Sequence, residues 1–150
     1  IKEALNLARR GEDLLEVWEA RREVEINLAK LALKRANQDD LKHLCEILSE
    51  LEAAASESNR EIYLKKNELF HLAIADMARN KYLKNALKAL MKVTEEHVLQ
   101  NMVEDYSRYM NQSIKTHKEI VEAINNGCAD NISSAIEKHF SELEGYLKTR

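Results

Sequence analysis

The chain has 150 residues, a formal net charge of −3, no proline and only three glycines. Average composition would place about 7 prolines and about 10 glycines in this length, and turns between strands use these residues most. Their shortage, with the abundance of Ala, Leu, Glu and Lys, excludes a β-rich or α/β domain and favours one all-helical domain.

The apolar periodicity predicts six helices, preceded by a short amphipathic segment, Ile1–Arg10. The helices are predicted at residues 13–36, from 38 to a loop at 56–59, at 60–79, from 80 past 98, at 107–126 and at 130–148. We expect Asn37 to cap the second helix, Ser107 to cap the fifth and Gly127 to end the fifth. With no repeat and no linker, the pattern predicts one antiparallel bundle of six to seven helices.

Polar residues interrupt the apolar stripes of four of these helices. They are Arg21 in the first long helix, Asn67 with His71 one turn later in the third, His117 in the fifth and His139 in the sixth. Burying a polar group without a partner is costly. Each of these residues must therefore form a pair, bind a ligand or lie at the wet end of its stripe.

Three imidazoles and one amide oxygen that meet inside a bundle form a donor set for a divalent metal ion. Neutral imidazole suits zinc, nickel, copper or iron. Asn67 and His71, at i and i+4, can donate from one helix face. Neutral ligands would leave the charge of the ion uncompensated, and Arg21 adds another positive charge. An anion that chelates the metal through a carboxylate and meets Arg21 would neutralise the site.

Each of these residues also has an ordinary structural interpretation. A histidine on an apolar stripe is often a hydrogen-bonded core residue. Arg21 can instead pair with an acidic neighbour, namely Glu19, Glu23 or Glu25. His43 lies beside its stripe and is interpreted as a surface residue. The pattern leaves open the roles of His97, Tyr106 and Tyr109.

Three segments, in this order and spacing, resemble one known family. Glu19–Leu41 opens on Glu-Ala-Arg and continues with spaced alanines and leucines. Asn67–Ala75 contains Asn-x-x-x-His, and His117–His139 begins and ends on histidines. Together they resemble the FadR-type C-terminal domain (FCD) of GntR-family transcription regulators. The resemblance covers nearly the whole chain and implies an effector-binding and dimerisation domain.

The resemblance implies particular roles for the polar residues on the stripes. The implied ligands of a divalent metal ion (zinc, nickel or manganese) are Asn67, His71, His117 and His139. The arginine of the Glu-x-Arg motif of the family falls on Arg21, which is expected to meet a small carboxylate effector. The commoner aspartate of the family is Asn67 here, and the loss of its negative charge should weaken the affinity for metal.

The resemblance also implies partners beyond this chain. We expect a homodimer that contacts DNA only through an N-terminal winged helix-turn-helix domain outside these residues, with Ile1–Arg10 as the linker helix. The charges of the chain agree, because they lack the concentrated basic face of a nucleic-acid-binding domain. No apolar run approaches the roughly 18 residues of a membrane span. Cys45 and Cys128 show no motif spacing, which favours a cytoplasmic location.

Two other classes of function remain open at this point. A di-iron carboxylate enzyme needs Glu-x-x-His on two helices and a glutamate from each of two others. Glu68–His71 matches once, whereas isoleucine stands three residues before His117 and before His139. A structural interaction domain, without metal, would keep the histidines buried and hydrogen-bonded. We expect the sensory domain, which is not an enzyme.

Overall fold

A computed structural model describes residues 11–101 and 106–146, and the predicted lead-in Ile1–Arg10 lies outside them. The helices are α1 (Gly11–Arg35), α2 (Gln38–Ser56), α3 (Arg60–Met77), α4 (Lys81–Asn101), α5 (Tyr106–Asn126) and α6 (Ala129–Glu144). The described residues contain no strand, so the predicted all-helical bundle is confirmed. Among the described helices, none combines the length and the apolar character needed to cross a membrane.

Short polar caps define several helix ends. The side chain of Asn37 accepts from the backbone N–H of Asp40, whose carboxylate accepts from the N–H of Asn37, both at 2.9 Å. Gly127 ends α5 with φ +65°, a conformation that suits glycine. Both predicted roles are confirmed. The predicted capping role of Ser107 is wrong, because α5 already begins at Tyr106.

Helix α1 lies at the centre of the bundle, packed against α3, α4 and α6. Its buried side chains are Trp18, Arg21, Glu25, Ile26, Leu28, Ala29 and Ala32. This face is rotated from the stripe that the apolar spacing predicts. Arg21 and Leu28 of that stripe are buried, whereas its other members are only half-buried, namely Leu14, Val17, Val24 and Leu31. Small alanines allow neighbouring helices to approach closely. The rotation brings Glu25 inside the bundle, beside Arg21, which already lay on the predicted stripe.

Aromatic side chains form an apolar wall around the polar interior. The Phe70 ring lies edge-on to His117, with centroids 4.7 Å apart, and Phe140 lies 5.2 Å from His139. Tyr63 is fully buried and is also edge-on to His117. Burying an aromatic side chain of this size stabilises a fold by about 1.5–3 kcal/mol. The same rings pack directly against the histidines of the interior.

Candidate metal centre

Three histidines from three helices converge in the middle of the bundle. His71 on α3, His117 on α5 and His139 on α6 are all buried, and each offers a ring nitrogen within 4.8 Å of the others. The ring centroids of His117 and His139 are 4.6 Å apart, and that of His71 lies 5.3 Å from His139. The structure thus brings together the three histidines that interrupt the apolar stripes.

Hydrogen bonds determine where two of these rings carry a proton. Nδ1 of His117 lies 2.7 Å from the backbone carbonyl of Ser113, which can only accept. Nδ1 of His71 lies 2.5 Å from Oε1 of Glu25. Both rings therefore donate through Nδ1, and the neutral ring presents a lone pair at Nε2. Nε2 of His71 is buried and has no hydrogen-bond partner among the described residues.

The third ring is held by a hydroxyl. Nδ1 of His139 lies 2.7 Å from Oγ1 of Thr116. That hydroxyl donates its one proton to the carbonyl of Ser113 at 2.8 Å, so it accepts from Nδ1–H of His139. Metal-binding histidines are oriented in this way, with one ring nitrogen donating to a neighbouring acceptor and the other facing the ion.

The amide of Asn67 completes the donor set. Its Oδ1 lies 2.7 Å from Nε2 of His117. Because the proton of the neutral His117 ring is on Nδ1, these two atoms both carry lone pairs. The amide can relieve the repulsion by turning its NH₂ group to His117 or by sharing a cation with it. The residues present therefore fit a divalent metal ion.

Burial favours the neutral form of the imidazoles. Desolvation, helped by the neighbouring His71, lowers the pKa of His117 to about 3. Desolvation and the nearby His117 lower the pKa of His139 well below its ordinary value. Since metal ions bind the neutral ring, protons do not compete for these two ligands near pH 7.

Arg21 and Glu25 form a buried ion pair beside the histidines. Nε of Arg21 donates to Oε2 of Glu25 at 2.8 Å, and Nη1 donates to Oγ1 of Thr94 at 2.6 Å. Glu25 thus binds Arg21 with one oxygen and His71 with the other. Desolvation raises the pKa of Glu25, but its interactions with His71 and Arg21 hold it at about 2. Of the acidic neighbours considered for Arg21, Glu25 is the partner.

The residues left open by the sequence lie around this centre. His97 accepts a hydrogen bond from Nε1 of Trp18 at 2.9 Å, and Trp18 lies 5.7 Å from the guanidinium of Arg21. Tyr109 lines a cavity beside the histidines. The ring of Tyr106 packs edge-on against the ring of Tyr109, with their centroids 5.3 Å apart. His43 is exposed, as expected. Trp18, Thr116 and Glu95 also lie around this centre, and the sequence pattern did not predict a place for them there.

A cavity of about 160 Å³ opens beside the histidines. Its polar lining residues are Arg21, Lys65, Asn67, Glu68, His71, Glu95, Tyr109 and His139. Pockets that bind drug-sized ligands have volumes of about 300–1,000 Å³. This cavity is smaller and therefore suits a small molecule. The cavity is lined by three of the four residues predicted to bind metal, all except His117. It is also lined by the arginine predicted to bind an anion.

Glu95 is an unusual carboxyl group of this cavity, and we predict that its charge destabilises the fold. Desolvation raises the pKa of Glu95 to about 7 from 4.5, against the lowering effect of Arg21. The folded state therefore binds more protons between these pH values, and ionisation of Glu95 opposes folding above them. In metal-free protein we expect Glu95→Gln to be more stable than the parent at pH 8, by about 1 kcal/mol given partial exposure of the side chain.

The advantage should shrink as the pH is lowered through 7 towards 4.5. Denaturant unfolding of both proteins at a series of pH values measures the difference directly. An advantage that is equal at pH 8 and pH 5 would mean that the charge of Glu95 is not its cause.

Similarity to known proteins extends over most of the chain. A family profile described as FCD domain matches residues 16–142. The HTH-type transcriptional regulator LutR of Bacillus subtilis (strain 168) is 26% identical over 144 residues, which are 94% of this chain and 65% of LutR. Both regulators described next share the fold of this chain.

E. coli McbR/YncC superposes with a TM-score of 0.79 at 19% identity, over 89% of this chain and 63% of that one. Lar, described as controlling the expression of the Listeria monocytogenes agr system, superposes with a TM-score of 0.71 at 17% identity, over 89% and 62%. The chain therefore spans slightly less than two thirds of the length of these relatives.

Proposed function

Because the chain belongs to the FCD family of GntR-type transcription regulators, we propose that it senses a small carboxylate bound at a divalent metal ion inside its bundle. The observation that carries this proposal is the convergence of His71, His117 and His139, each oriented by an acceptor at Nδ1. The role is sensory and not enzymatic.

The metal would be held by three imidazoles and the amide oxygen of Asn67. Zinc, nickel and manganese are the candidates. All four donors are neutral, so the full divalent charge remains and open coordination positions face the cavity. When bound, the ion supplies positive charge and a place for a carboxylate oxygen. Glu25, Thr116 and the carbonyl of Ser113 hold the rings in the orientation that this requires.

Charge supports an anionic effector. Arg21 and Glu25 form a pair without net charge, and the four metal donors are neutral, so nothing in the donor set offsets the charge of the metal. Arg21 uses Nε and Nη1 for Glu25 and Thr94 and lines the cavity with its guanidinium. A carboxylate that binds the metal could therefore also accept from Arg21, and charge-assisted hydrogen bonds of this kind are among the strongest.

The response would travel along α1. This helix carries Arg21 and contacts α3, α4 and α6. A ligand that displaces Arg21 would therefore shift α1 against these three helices. We propose that the domain forms a homodimer and that the effector changes the spacing of N-terminal DNA-binding domains, joined through Ile1–Arg10. The size of the response is limited by the differential affinity of the effector for the two states. Both cysteines are free thiols, in keeping with a cytoplasmic regulator.

Metal loading followed by a carboxylate screen tests this function. Trp18 is the only tryptophan of the chain and lies 5.7 Å from the guanidinium of Arg21, so its fluorescence reports on the cavity. In zinc-loaded protein we expect one small carboxylate to change this fluorescence and to stabilise the fold by about 2.7 kcal/mol at 100 times its Kd. In metal-free protein the same acid should have little effect.

A matched variant separates the arginine from the metal. Arg21→Lys keeps a positive charge beside Glu25 but loses the planar fork that binds carboxylates. We expect it to retain zinc and to lose most of the carboxylate response. Failure of the parent protein to retain any divalent metal would overturn the metal-dependent function, and failure of the metal-loaded protein to respond to any carboxylate would overturn the effector.

A further inference from the structure

One buried acceptor of the cavity has no partner. Glu95 projects from α4 into the lining, and its Oε1 is buried without a hydrogen bond to any described residue. Buried polar atoms are nearly always hydrogen-bonded, and one that is not requires an explanation. Nothing in the proposed metal site uses this oxygen. It remains available to a molecule inside the cavity.

The surroundings of Glu95 carry both signs of charge. Arg21 and Glu25 act on it from α1, and Glu68 acts on it from α3. Arg21 does not neutralise it, because the hydrogen bonds of that guanidinium go to Glu25 and to Thr94. Glu68 also lines the cavity and has the same sign. Glu95 is therefore a hydrogen-bond acceptor with negative charge at one side of the cavity, whereas the proposed metal and Arg21 favour anions at the other.

We propose that Glu95 selects the effector: it accepts a hydrogen bond from a hydroxyl or ammonium group of a monocarboxylate whose carboxylate lies at the metal and Arg21, and it excludes acids with a second carboxylate. The inference rests on the proposed function and specifies its ligand class. A donor group satisfies the unpaired oxygen, whereas a methyl group in the same place leaves it buried and unpaired.

A second carboxylate is disfavoured for a different reason. It would face the partly buried Glu95, and also Glu68 at the exposed side of the cavity, and like charges repel. The metal and Arg21 cannot make this distinction, because both attract more highly charged anions. Selection among acids therefore needs a repulsive group, and Glu95 provides it.

Two series of matched acids test the selection. The three-carbon series is propionate, 3-hydroxypropionate, 3-aminopropionate and malonate; the four-carbon series is butyrate, 4-hydroxybutyrate, 4-aminobutyrate and succinate. Within each series only the end away from the first carboxylate changes, and two lengths cover two spans of the cavity. In calorimetry on zinc-loaded protein at pH 7.5, we expect a hydroxyl or ammonium end to bind about tenfold tighter than the methyl end in one series. The dicarboxylate should bind most weakly.

Glu95→Gln keeps the shape of the side chain and removes its charge. In this variant we expect the affinity for the ammonium-ended acid to fall about tenfold and that for the dicarboxylate to rise about tenfold, with less than about a twofold change for the methyl-ended acid. Glu96→Gln is the matched control, because it removes the same charge one residue along α4, outside the cavity lining. It should leave the order of the acids unchanged.

The outcomes separate this inference from the proposed function. If the zinc-loaded parent binds these acids without distinguishing their ends, or if Glu95→Gln changes all affinities by the same factor, the role of Glu95 is wrong and carboxylate sensing stands. If the zinc-loaded parent binds no carboxylate, the proposed function is wrong and this inference falls with it.

Discussion

Replacement of His117 or His139 by alanine is expected to abolish retention of a divalent metal ion by the purified protein. Each ring presents Nε2 to the shared centre while its Nδ1 donates to Ser113 or Thr116. Loss of a group that merely orients a ligand lowers metal affinity by about 10–100-fold, so loss of a ligand should exceed that range. The metal content per chain after zinc loading and desalting measures it.

His43→Ala is the control, because His43 is exposed on α2 and has no part in the centre. It should bind as much zinc as the parent protein. Circular dichroism shows whether the variants of the buried histidines are folded. A folded His139→Ala protein with the zinc content of the parent would remove His139 from the ligands.

Asn67→Asp tests the same centre without deleting a ring. A carboxylate is a stronger ligand than an amide, and its charge offsets that of the metal. We expect tighter zinc binding and weaker carboxylate binding, because the site becomes less positive. Zinc competition against a chelator and the tryptophan titration measure the two effects. Equal zinc affinity in both proteins would place the Asn67 amide outside the coordination sphere.

Glu25→Ala should have the largest effect on stability. Glu25 is 5% exposed, and its removal leaves the guanidinium of Arg21, 3% exposed, without its counter-ion. Removing one partner of a buried ion pair costs about 3–5 kcal/mol. Since 1 kcal/mol shifts the Tm of a domain of this size by about 2–4 °C, we expect a fall of roughly 6–20 °C. Chemical and thermal unfolding of metal-free protein measure it.

Two variants show whether the unpaired charge is responsible. Glu144→Gln breaks the Arg22–Glu144 pair, which is partly exposed, and should cost less than about 1 kcal/mol. The double variant Arg21→Met/Glu25→Leu removes both buried charges and should recover much of the stability lost in Glu25→Ala. If the double variant is less stable than Glu25→Ala, the loss comes from packing and not from an uncompensated charge.

The fold and most of the candidate site could be predicted because the helices are long and uninterrupted. Without proline, the periodicity of α5 and α6 continues for five turns or so, and His117 and His139 fall on stripes whose other described members are buried. Asn67 and His71 follow from their spacing. His71, which was predicted to point inward one turn after Asn67, is 2% exposed.

The partners of His71 and His139 could not be predicted, because they come from other helices. Glu25 contacts His71 across 46 positions of sequence, and Thr116 contacts His139 across 23. Such pairs depend on the rotation of each helix about its axis, and α1 is rotated from the predicted stripe. The i,i+4 spacing of Arg21 and Glu25 was a local indication, which made Glu25 one of three possible partners.

The double attachment of Glu25 would join the proposed metal site and the proposed effector site through a single carboxylate. One oxygen accepts from His71 and the other from Arg21, so an acid that shifted Arg21 would also change the support of a proposed metal ligand. Linkage is reciprocal: whatever factor the acid contributes to metal affinity, the metal contributes to acid affinity. A domain with this linkage would respond only when both a metal and a metabolite are abundant, because a shortage of either ligand lowers the affinity for the other.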